Sequence, residues 1–294
     1  MLYLITNQSN CFGLFVLKLA GDSTNYADNF GIQWNKFSKT QLDSYTRHPI
    51  SSNRFFKATN WVASELKDKW VLDIGCGAGR FAEVALLAGA KVVALDYSTA
   101  VDACYSNLKH HPNLHVVQGD IYALPFVKST FPYVYSLGVL QHTPDVKKAF
   151  FSLPPMLSKG GHFCVDFYEK SLKSSMLPKY WLRPITKKIA NPKLFSILEK
   201  IVPVLLPISV GLAQIPIVGK VFKRMIPVAN YVGVLPLTKK QQLEWSLLDT
   251  FDWLSPAFDN PQKSETVRLW LEESKMQNIE VLKAGHLVGR GIAN

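Results

Sequence analysis

Residues 70–79 read WVLDIGCGAG, and this stretch decides the fold. An apolar run ends in glycines at alternate positions, and residues 80–89 then carry apolar side chains at helical spacing. The pattern predicts a strand, a tight turn and a helix, which together open a doubly wound sheet. Gly75, Gly77 and Gly79 have no Cβ, so the backbone of this turn can approach a ligand closely.

Four more strands are predicted downstream, and helical stretches separate most of them. They read KVVALDYS (91–98), LHVVQGD (114–120), FPYVYSLG (131–138) and GGHFCVDFY (160–168). This order predicts parallel strands whose C-terminal ends form one ligand crevice. A helix over 264–274 and two short strands joined at Gly285 are expected to close the sheet. Pro132 is expected to shorten the edge of its strand, and Pro154 to end the preceding helix early.

Acidic side chains stand in or at the ends of three of these strands. Asp96 ends the second strand and can accept two hydrogen bonds from the hydroxyls of a ribose. Asp120 ends the third strand and can accept from an exocyclic amine such as that of adenine. Asp73 lies two residues before Gly75, where a carboxylate suits a cationic amino group better than a pyrophosphate. The spacing GxGxG also differs from the GxGxxG of nicotinamide enzymes, so that class is disfavoured.

These residues resemble the class I S-adenosylmethionine-dependent methyltransferases, over about 61–168 and more weakly over 262–294. The resemblance implies a Rossmann-like α/β fold: a doubly wound sheet of seven strands with an antiparallel last strand. It also implies S-adenosyl-L-methionine as cofactor, with methyl transfer as the activity. The cofactor-binding residues that it implies are Asp73, Gly75, Cys76, Gly77, Gly79, Asp96, Tyr97, Asp120, Ile121 and Leu137.

One histidine is a candidate for the chemistry. His142, in LQHTPD (140–145), follows the fourth predicted strand at the mouth of the crevice. An oxygen or nitrogen acceptor needs a base to remove its proton, and the imidazole titrates in the right range. Alternatively, His142 caps the next helix or packs beneath a lid. Asp166 and Tyr168 end the fifth strand, where they either face the substrate or are structural.

Other chemical classes find less support in the sequence. The remaining histidines lack metal-ligand spacing, so we expect no metal. The four cysteines are scattered without a CxxC pair, which favours a reducing compartment and predicts a cytoplasmic protein. A nucleic-acid-directed methyltransferase stays an alternative on basic charge alone, but it is disfavoured because the fourth strand ends in SLGVLQH rather than in an Asp/Asn-Pro-Pro-aromatic motif.

The chain is expected to have four parts. Residues 1–60 form an N-terminal extension with cap helices, and 61–168 form the S-adenosylmethionine-binding core. Residues 169–258 form a helical insertion after the fifth strand, and 259–294 supply the closing helix and hairpin.

The insertion is both basic and apolar. The span from Lys170 to Lys240 holds thirteen basic residues and one acid, in a chain of net charge +11. Residues 201–219 (IVPVLLPISVGLAQIPIVG) carry no charge and are long enough to cross a bilayer. A single crossing would separate the closing hairpin from the sheet, so we expect none. Two compatible interpretations are left: a lid over the crevice, and a lid that also contacts an anionic membrane peripherally.

The flanks of the core suggest an acceptor. FGIQWNKFSKTQLDSY (30–45) and LLDTFDWLSPAFDNPQ (247–262) resemble methyltransferases of bacterial surface-polysaccharide and lipid-linked glycan clusters. The resemblance implies O-methylation of a sugar or a lipid-linked glycan intermediate. The alternatives are a lipophilic small molecule, such as a quinone or polyketide, and a non-catalytic cofactor-binding protein.

Overall fold

The computed structural model describes residues 13–16, 26–171, 178–217, 219 and 225–294. In these residues eight strands form one sheet with the order β1-β4-β3-β2-β5-β6-β8-β7. The strands are β1 Gly13–Val16, β2 Trp70–Ile74, β3 Lys91–Asp96, β4 Leu114–Gln118, β5 Phe131–Ser136, β6 Leu157–Phe167, β7 Gln277–Ala284 and β8 His286–Ile292.

The sheet confirms the predicted class. Strands β2 to β6 are parallel, and β8 lies antiparallel between β6 and β7. The turn between β7 and β8 is Gly285, whose φ of +87° is readily adopted only by glycine. The extra strand is β1, which pairs parallel with β4 at the far edge and has no counterpart in the seven-stranded prediction.

Ten α-helices in the described residues surround this sheet. They are α1 Asp28–Lys36, α2 Asp43–Thr46, α3 Ile50–Thr59, α4 Arg80–Leu87, α5 Ala100–Leu108, α6 Val146–Ser152, α7 Pro178–Thr186, α8 Asn191–Ala213, α9 Lys239–Leu254 and α10 Ser264–Glu273.

Helices cover both faces of the sheet, which explains why its central strands are apolar throughout. On one face, α3, α4 and α5 pack over the sheet, with Phe55 and Val101 fully buried there. On the other face, α6 and α10 pack over it, with Phe150 and Leu271 fully buried. Every residue of β2 after Trp70 is buried, so the glycine turn that follows starts from a rigid strand.

Pro154 has the expected effect, but Pro132 does not shorten its strand, because β5 begins at Phe131. The pairing of β5 with β6 shifts register between Phe131 and Tyr133, on either side of Pro132. The helix before Pro154 has only seven residues and ends at Ser152.

Helices α7, α8 and α9 form the insertion between β6 and α10, as predicted. They have a core of their own, in which Leu194 and Val202 of α8 pack with Phe251 of α9 and Phe37. The apolar run 201–219 does not coincide with one helix, because α8 begins at Asn191 and ends at Ala213.

Helix α8 is, among the described helices, the one long and apolar enough to cross a membrane, with mean hydropathy 1.8 over its best window. About a third of that window is buried inside the protein. Strand β8, which follows α8 in the chain, pairs with β6, which precedes it. The sheet is therefore complete on both sides of the insertion, and a single crossing by α8 does not fit this structure.

Candidate active site

A cavity of about 740 Å³ opens where the parallel strands end. This volume lies in the range of about 300–1,000 Å³ that is usual for small-molecule sites. The glycine turn after β2 and the tip of β3 line one side, and residues of the insertion, including Tyr231 and Trp245, line the other. One cavity is thus continuous from the predicted cofactor site to the insertion.

The glycine turn is shaped as its sequence predicts. Gly75, Gly77 and Gly79 have φ values of +82°, +52° and +91°, in the left-handed region that side chains rarely adopt. A Cβ on Gly75 would lie 2.4 Å from a methyl carbon of Val139, and a Cβ on Gly77 would lie 3.1 Å from the Trp34 ring. Both the backbone conformation and the space therefore require glycine here.

Asp96 ties the tip of β3 to this turn. One of its carboxylate oxygens accepts from the Gly77 amide at 2.9 Å, and the other accepts from the amide and hydroxyl of Ser98 at 2.9 and 2.7 Å. Burial raises the pKa of Asp96, although these hydrogen bonds partly offset the effect. Asp96 lines the cavity, so ribose hydroxyls bound there would share its oxygens with these donors.

Asp73 lies behind the cavity wall. It is buried, 2 % exposed, with Ala94 of β3 and Tyr135 of β5 as its register partners. Burial raises the pKa of Asp73 to about 8. Asp73 is not among the residues that line the cavity in the described part of the chain. Its predicted contact with the methionine part of the cofactor stays a prediction.

Seven of the ten predicted cofactor residues line the cavity in the described structure: Gly75, Cys76, Gly77, Asp96, Tyr97, Ile121 and Leu137. The other three lie beside it. Gly79 begins α4 as its N-cap residue, where a Cβ would lie 2.6 Å from Leu108. Asp120 caps the short turn that follows β4, accepting from the Tyr122 amide at 2.9 Å. Its predicted hydrogen bond to adenine stays a prediction.

An aromatic cap covers the cofactor side, and the sequence pattern alone did not reveal it. The ring of Tyr26 stacks on Tyr97, with centroids 5.1 Å apart and planes 12° apart. Phe30 and Trp34 are one turn apart on α1 and both line the cavity. Tyr26 thus covers the ring of Tyr97, which the resemblance places beside the ribose of the cofactor. The spacing of the aromatic residues in 26–34 is the signal that predicts such a face.

His142 lines the cavity at the end of a short turn and is 4 % exposed. Its Nδ1 lies 3.0 Å from the carbonyl oxygen of Phe258. Because a carbonyl only accepts, Nδ1 carries the hydrogen and Nε2 has the free lone pair. Nε2 is buried and has no hydrogen-bond partner among the described residues. The side chain therefore has the tautomer that a general base requires.

Gln33 is a second cavity residue with unpaired polar atoms in the described structure, and no motif in the sequence marks it. Its side chain is fully buried on α1, one turn from Phe30, whose ring contacts His142 at 5.1 Å. Neither its amide oxygen nor its amide nitrogen has a partner in the part of the chain that the structure describes. Buried amides are nearly always paired, so this one is suited to a bound ligand or water.

An ion-pair network forms the wall beside β6 and β8. Asp166 accepts from Arg54 at 2.9 Å and from the Gly138 amide, and the imidazole Nδ1 of His286 lies 3.2 Å from it. Burial would raise the pKa of Asp166, but His286 and Arg54 hold it well below its usual range. Arg54 and His286 line the cavity, whereas Asp166 anchors them from behind.

The insertion contributes polar groups to the opposite wall. Asp249 of α9 accepts from the Tyr231 hydroxyl, from Trp245 at 3.1 Å and from Gln41 at 3.3 Å. Burial raises the pKa of Asp249 to about 6. Arg80 donates to Gln41 at 2.8 Å, and burial lowers the pKa of this guanidinium to about 9. This wall of the cavity therefore combines aromatic side chains with buried charged groups.

No cluster of three or more His, Cys, Asp or Glu side chains suited to a metal ion occurs within the described ranges.

The central part of the chain matches a known family model. Residues 72–165 match the family model described as a methyltransferase domain. Over the whole fold, the chain is similar to a protein of Methanococcus maripaludis described as an S-adenosyl-L-methionine-dependent methyltransferase. The TM-score is 0.50 and the identity 14 %, with 94 % of this chain and 97 % of that chain covered. This similarity concerns the fold.

Curated relatives match part of the chain. A sterol 24-C-methyltransferase of Pneumocystis carinii is 30 % identical over 37 % of this chain and 29 % of its own length. A tRNA U34 carboxymethyltransferase of Ruthia magnifica is 25 % identical, covering 52 % of each chain. A ubiquinone biosynthesis O-methyltransferase of Azotobacter vinelandii is 28 % identical over 40 % of this chain and 53 % of its own. The chain thus spans between about a third and a half of these relatives.

Proposed function

We propose, from the premise that residues 72–165 are a class I methyltransferase domain, that this protein transfers a methyl group from S-adenosylmethionine to an oxygen atom of a polar acceptor. The observation that carries the proposal is the single cavity that joins the glycine turn to the insertion. Two buried polar side chains in it, Gln33 and His142, have unpaired atoms in the described structure. A cofactor and an acceptor fit side by side in such a space.

The residues around the turn fit S-adenosylmethionine, which supplies a methyl group on a sulfonium when bound. The positive φ of Gly75 and Gly77 allows the backbone to approach the methionine part. Asp96 offers acceptor oxygens for the ribose, and Ile121 offers an apolar surface for the base. The chain contributes mainly by positioning the acceptor in line with the methyl carbon.

His142 is the proposed general base. The Phe258 carbonyl holds the Nδ1 hydrogen and fixes the orientation of the ring, so Nε2 can take the proton of an acceptor hydroxyl. Tyr168 packs edge-on against the same ring at 5.6 Å and limits its rotation.

The acceptor that we propose is a sugar hydroxyl, most simply on a lipid-linked glycan intermediate that is presented at a membrane surface. The polar wall formed by Asp249, Tyr231 and Arg80 supports a hydroxyl-rich acceptor, because it offers both donors and acceptors beside the Trp245 ring. A lipophilic small molecule such as a quinone is the second candidate. It is supported by the similarity to the ubiquinone biosynthesis O-methyltransferase.

We place the protein in the cytoplasm. Cys76, Cys104 and Cys164 are buried free thiols, which suits a reducing compartment.

Methyl transfer to extracted acceptors tests this function. The purified protein is incubated with methyl-labelled S-adenosylmethionine and, separately, with the glycolipid fraction and the quinone fraction of the source cells. Label in the glycolipid fraction, with a mass gain of one methylene on a sugar fragment, is the expected result. Label in the quinone fraction alone would instead establish the second candidate.

Two histidine variants distinguish the loss of the proposed base from a nonspecific effect of replacing a histidine. His142→Gln should lower the rate about 10²–10⁴-fold at unchanged cofactor binding, because the base is lost. The matched control is His110→Gln, at an exposed position outside the cavity, which should leave the rate unchanged. Equal rates for the wild type and His142→Gln would remove His142 from the proposal.

A further inference from the structure

Large hydrophobic side chains that are exposed to solvent concentrate in one region of the described structure. Ten of the fourteen lie between residues 181 and 234, although this span is less than a fifth of the chain. They are Trp181, Ile185, Ile201, Val204, Ile208, Ile215, Ile217, Met225, Val232 and Val234. Scattered single residues of this kind need no explanation, but a concentration marks an interaction surface.

Helix α8 has two apolar faces. One face packs into the insertion core through Leu194, Val202 and Leu206. The other exposes Ile201, Val204 and Ile208, whose spacing of three and four residues forms one stripe along the helix. Their exposed fractions in the described structure are 41 %, 61 % and 47 %.

Lysines border this stripe. Lys193 and Lys200 lie seven residues apart, and Val204 continues their row along the helix. The acid of α8, Glu199, is paired with Lys36 at 2.7 Å and so does not offset these lysines. Helix α7, which precedes α8 in the chain, exposes Trp181 and Ile185, each about two-thirds accessible, and is followed by Lys187 and Lys188.

We propose that this docking face binds the surface of an anionic lipid bilayer. The docking face consists of Trp181, Ile185, Ile201, Val204 and Ile208 together with Lys187, Lys188, Lys193 and Lys200. Apolar side chains enter the interface while lysines contact the headgroups, as in helices that lie in the plane of a membrane. A second copy of this chain is disfavoured as occupant, because it would bring two lysine-rich faces together.

The docking face is close in sequence to the cavity. Lys179 of α7 lines the cavity, and Trp181, two residues later, is on the docking face. If the proposed function holds, membrane binding would bring the protein to the surface that carries a lipid-linked acceptor. Lipid binding itself does not depend on that function, so the two fail independently.

Vesicle flotation with the full chain tests the proposal. The vesicles are pure phosphatidylcholine, or phosphatidylcholine with phosphatidylglycerol, at about 0.1 M and about 1 M salt. We expect flotation with the anionic vesicles at low salt. The double variant Lys193→Gln with Lys200→Gln should lower the vesicle binding constant about thirtyfold, because each lysine contributes about 1 kcal/mol. Val204→Asp with Ile208→Asp should abolish flotation.

Controls keep the outcome unambiguous. Leu87→Asp and Leu269→Asp alter equally exposed hydrophobic residues outside the docking face and should not change flotation. All variants should show a cooperative urea transition like that of the wild type, which shows, independently of cofactor binding, that they fold. No flotation of the wild type, equal loss in the controls, or salt-resistant binding to neutral vesicles would overturn the proposal. Sedimentation showing a dimer that Val204→Asp with Ile208→Asp dissolves would establish a second copy as the occupant.

Discussion

Replacing Gly75 with alanine should destabilise the protein by about 2–5 kcal/mol, and two separate physical effects contribute. The residue has φ of +82°, a conformation that costs a side chain with a Cβ about 1–2 kcal/mol. The new Cβ would lie 2.4, 2.5 and 2.9 Å from the two methyl carbons and the Cβ of Val139. Rotating the valine moves its methyl groups but not its Cβ, so the backbone must shift, at about 1–3 kcal/mol.

Gly160 provides the matched control. Its φ is +69°, but a Cβ there would meet no heavy atom within 4 Å. Gly160→Ala should therefore show only the conformational part, about 1–2 kcal/mol. In a protein that already carries Val139→Ala, Gly75→Ala should reduce the free energy of unfolding by less, because two of the three close contacts are absent.

Urea denaturation measures these differences, provided that the slope of the transition stays constant across the variants. Calorimetry with S-adenosylhomocysteine, performed in parallel, should show loss of binding for Gly75→Ala and unchanged binding for Gly160→Ala. Equal destabilisation by the two substitutions, or full cofactor binding by Gly75→Ala, would refute the argument that this turn requires glycine for space as well as for conformation.

Two further predictions concern buried polar groups in or beside the cavity. The pKa of Asp73 is raised by burial from 3.8 to about 8, so its contribution to stability is present below about pH 4 and is lost as the pH rises to 8. Asp73→Asn should remove this pH-dependent loss of stability, which amounts to several kcal/mol in the free energy of unfolding at pH 8. Thermal unfolding between pH 5 and 9 measures the difference. If the variant loses stability with pH as the wild type does, the raised pKa of Asp73 is contradicted. Gln33→Leu removes the amide without a partner and should stabilise the ligand-free protein by about 1 kcal/mol while lowering methyl transfer. A stability loss in urea would show that this amide is satisfied within the protein.

Much of the fold could be predicted from local sequence patterns. The apolar run before Gly75 and the alternate glycines specify a strand and a turn, because each property acts over a few residues. The sites of Asp96 and Asp120 at strand ends follow from the same periodicity. The predicted Rossmann-like sheet, with its antiparallel last strand and helical insertion, is confirmed.

The rest depends on contacts between distant segments. Asn29 donates to Ser255 across 226 residues, and such contacts place α1 over the cavity. The aromatic spacing in 26–34 predicts an apolar face, but no local pattern shows that Gln33 lines the cavity or that Tyr26 stacks on Tyr97. Asp73 shows the same limit, because the sequence places it near the turn, whereas its burial between β3 and β5 depends on the neighbouring strands.

Cofactor binding tests the central claim most directly. Isothermal calorimetry should show S-adenosylhomocysteine binding to the wild type, and Asp96→Ala should weaken that binding at least about tenfold, because Asp96 both lines the cavity and accepts from the Gly77 amide. NAD should give no heat of binding. Binding of NAD instead, or S-adenosylhomocysteine affinity unchanged by Asp96→Ala, would contradict the assignment of this cavity.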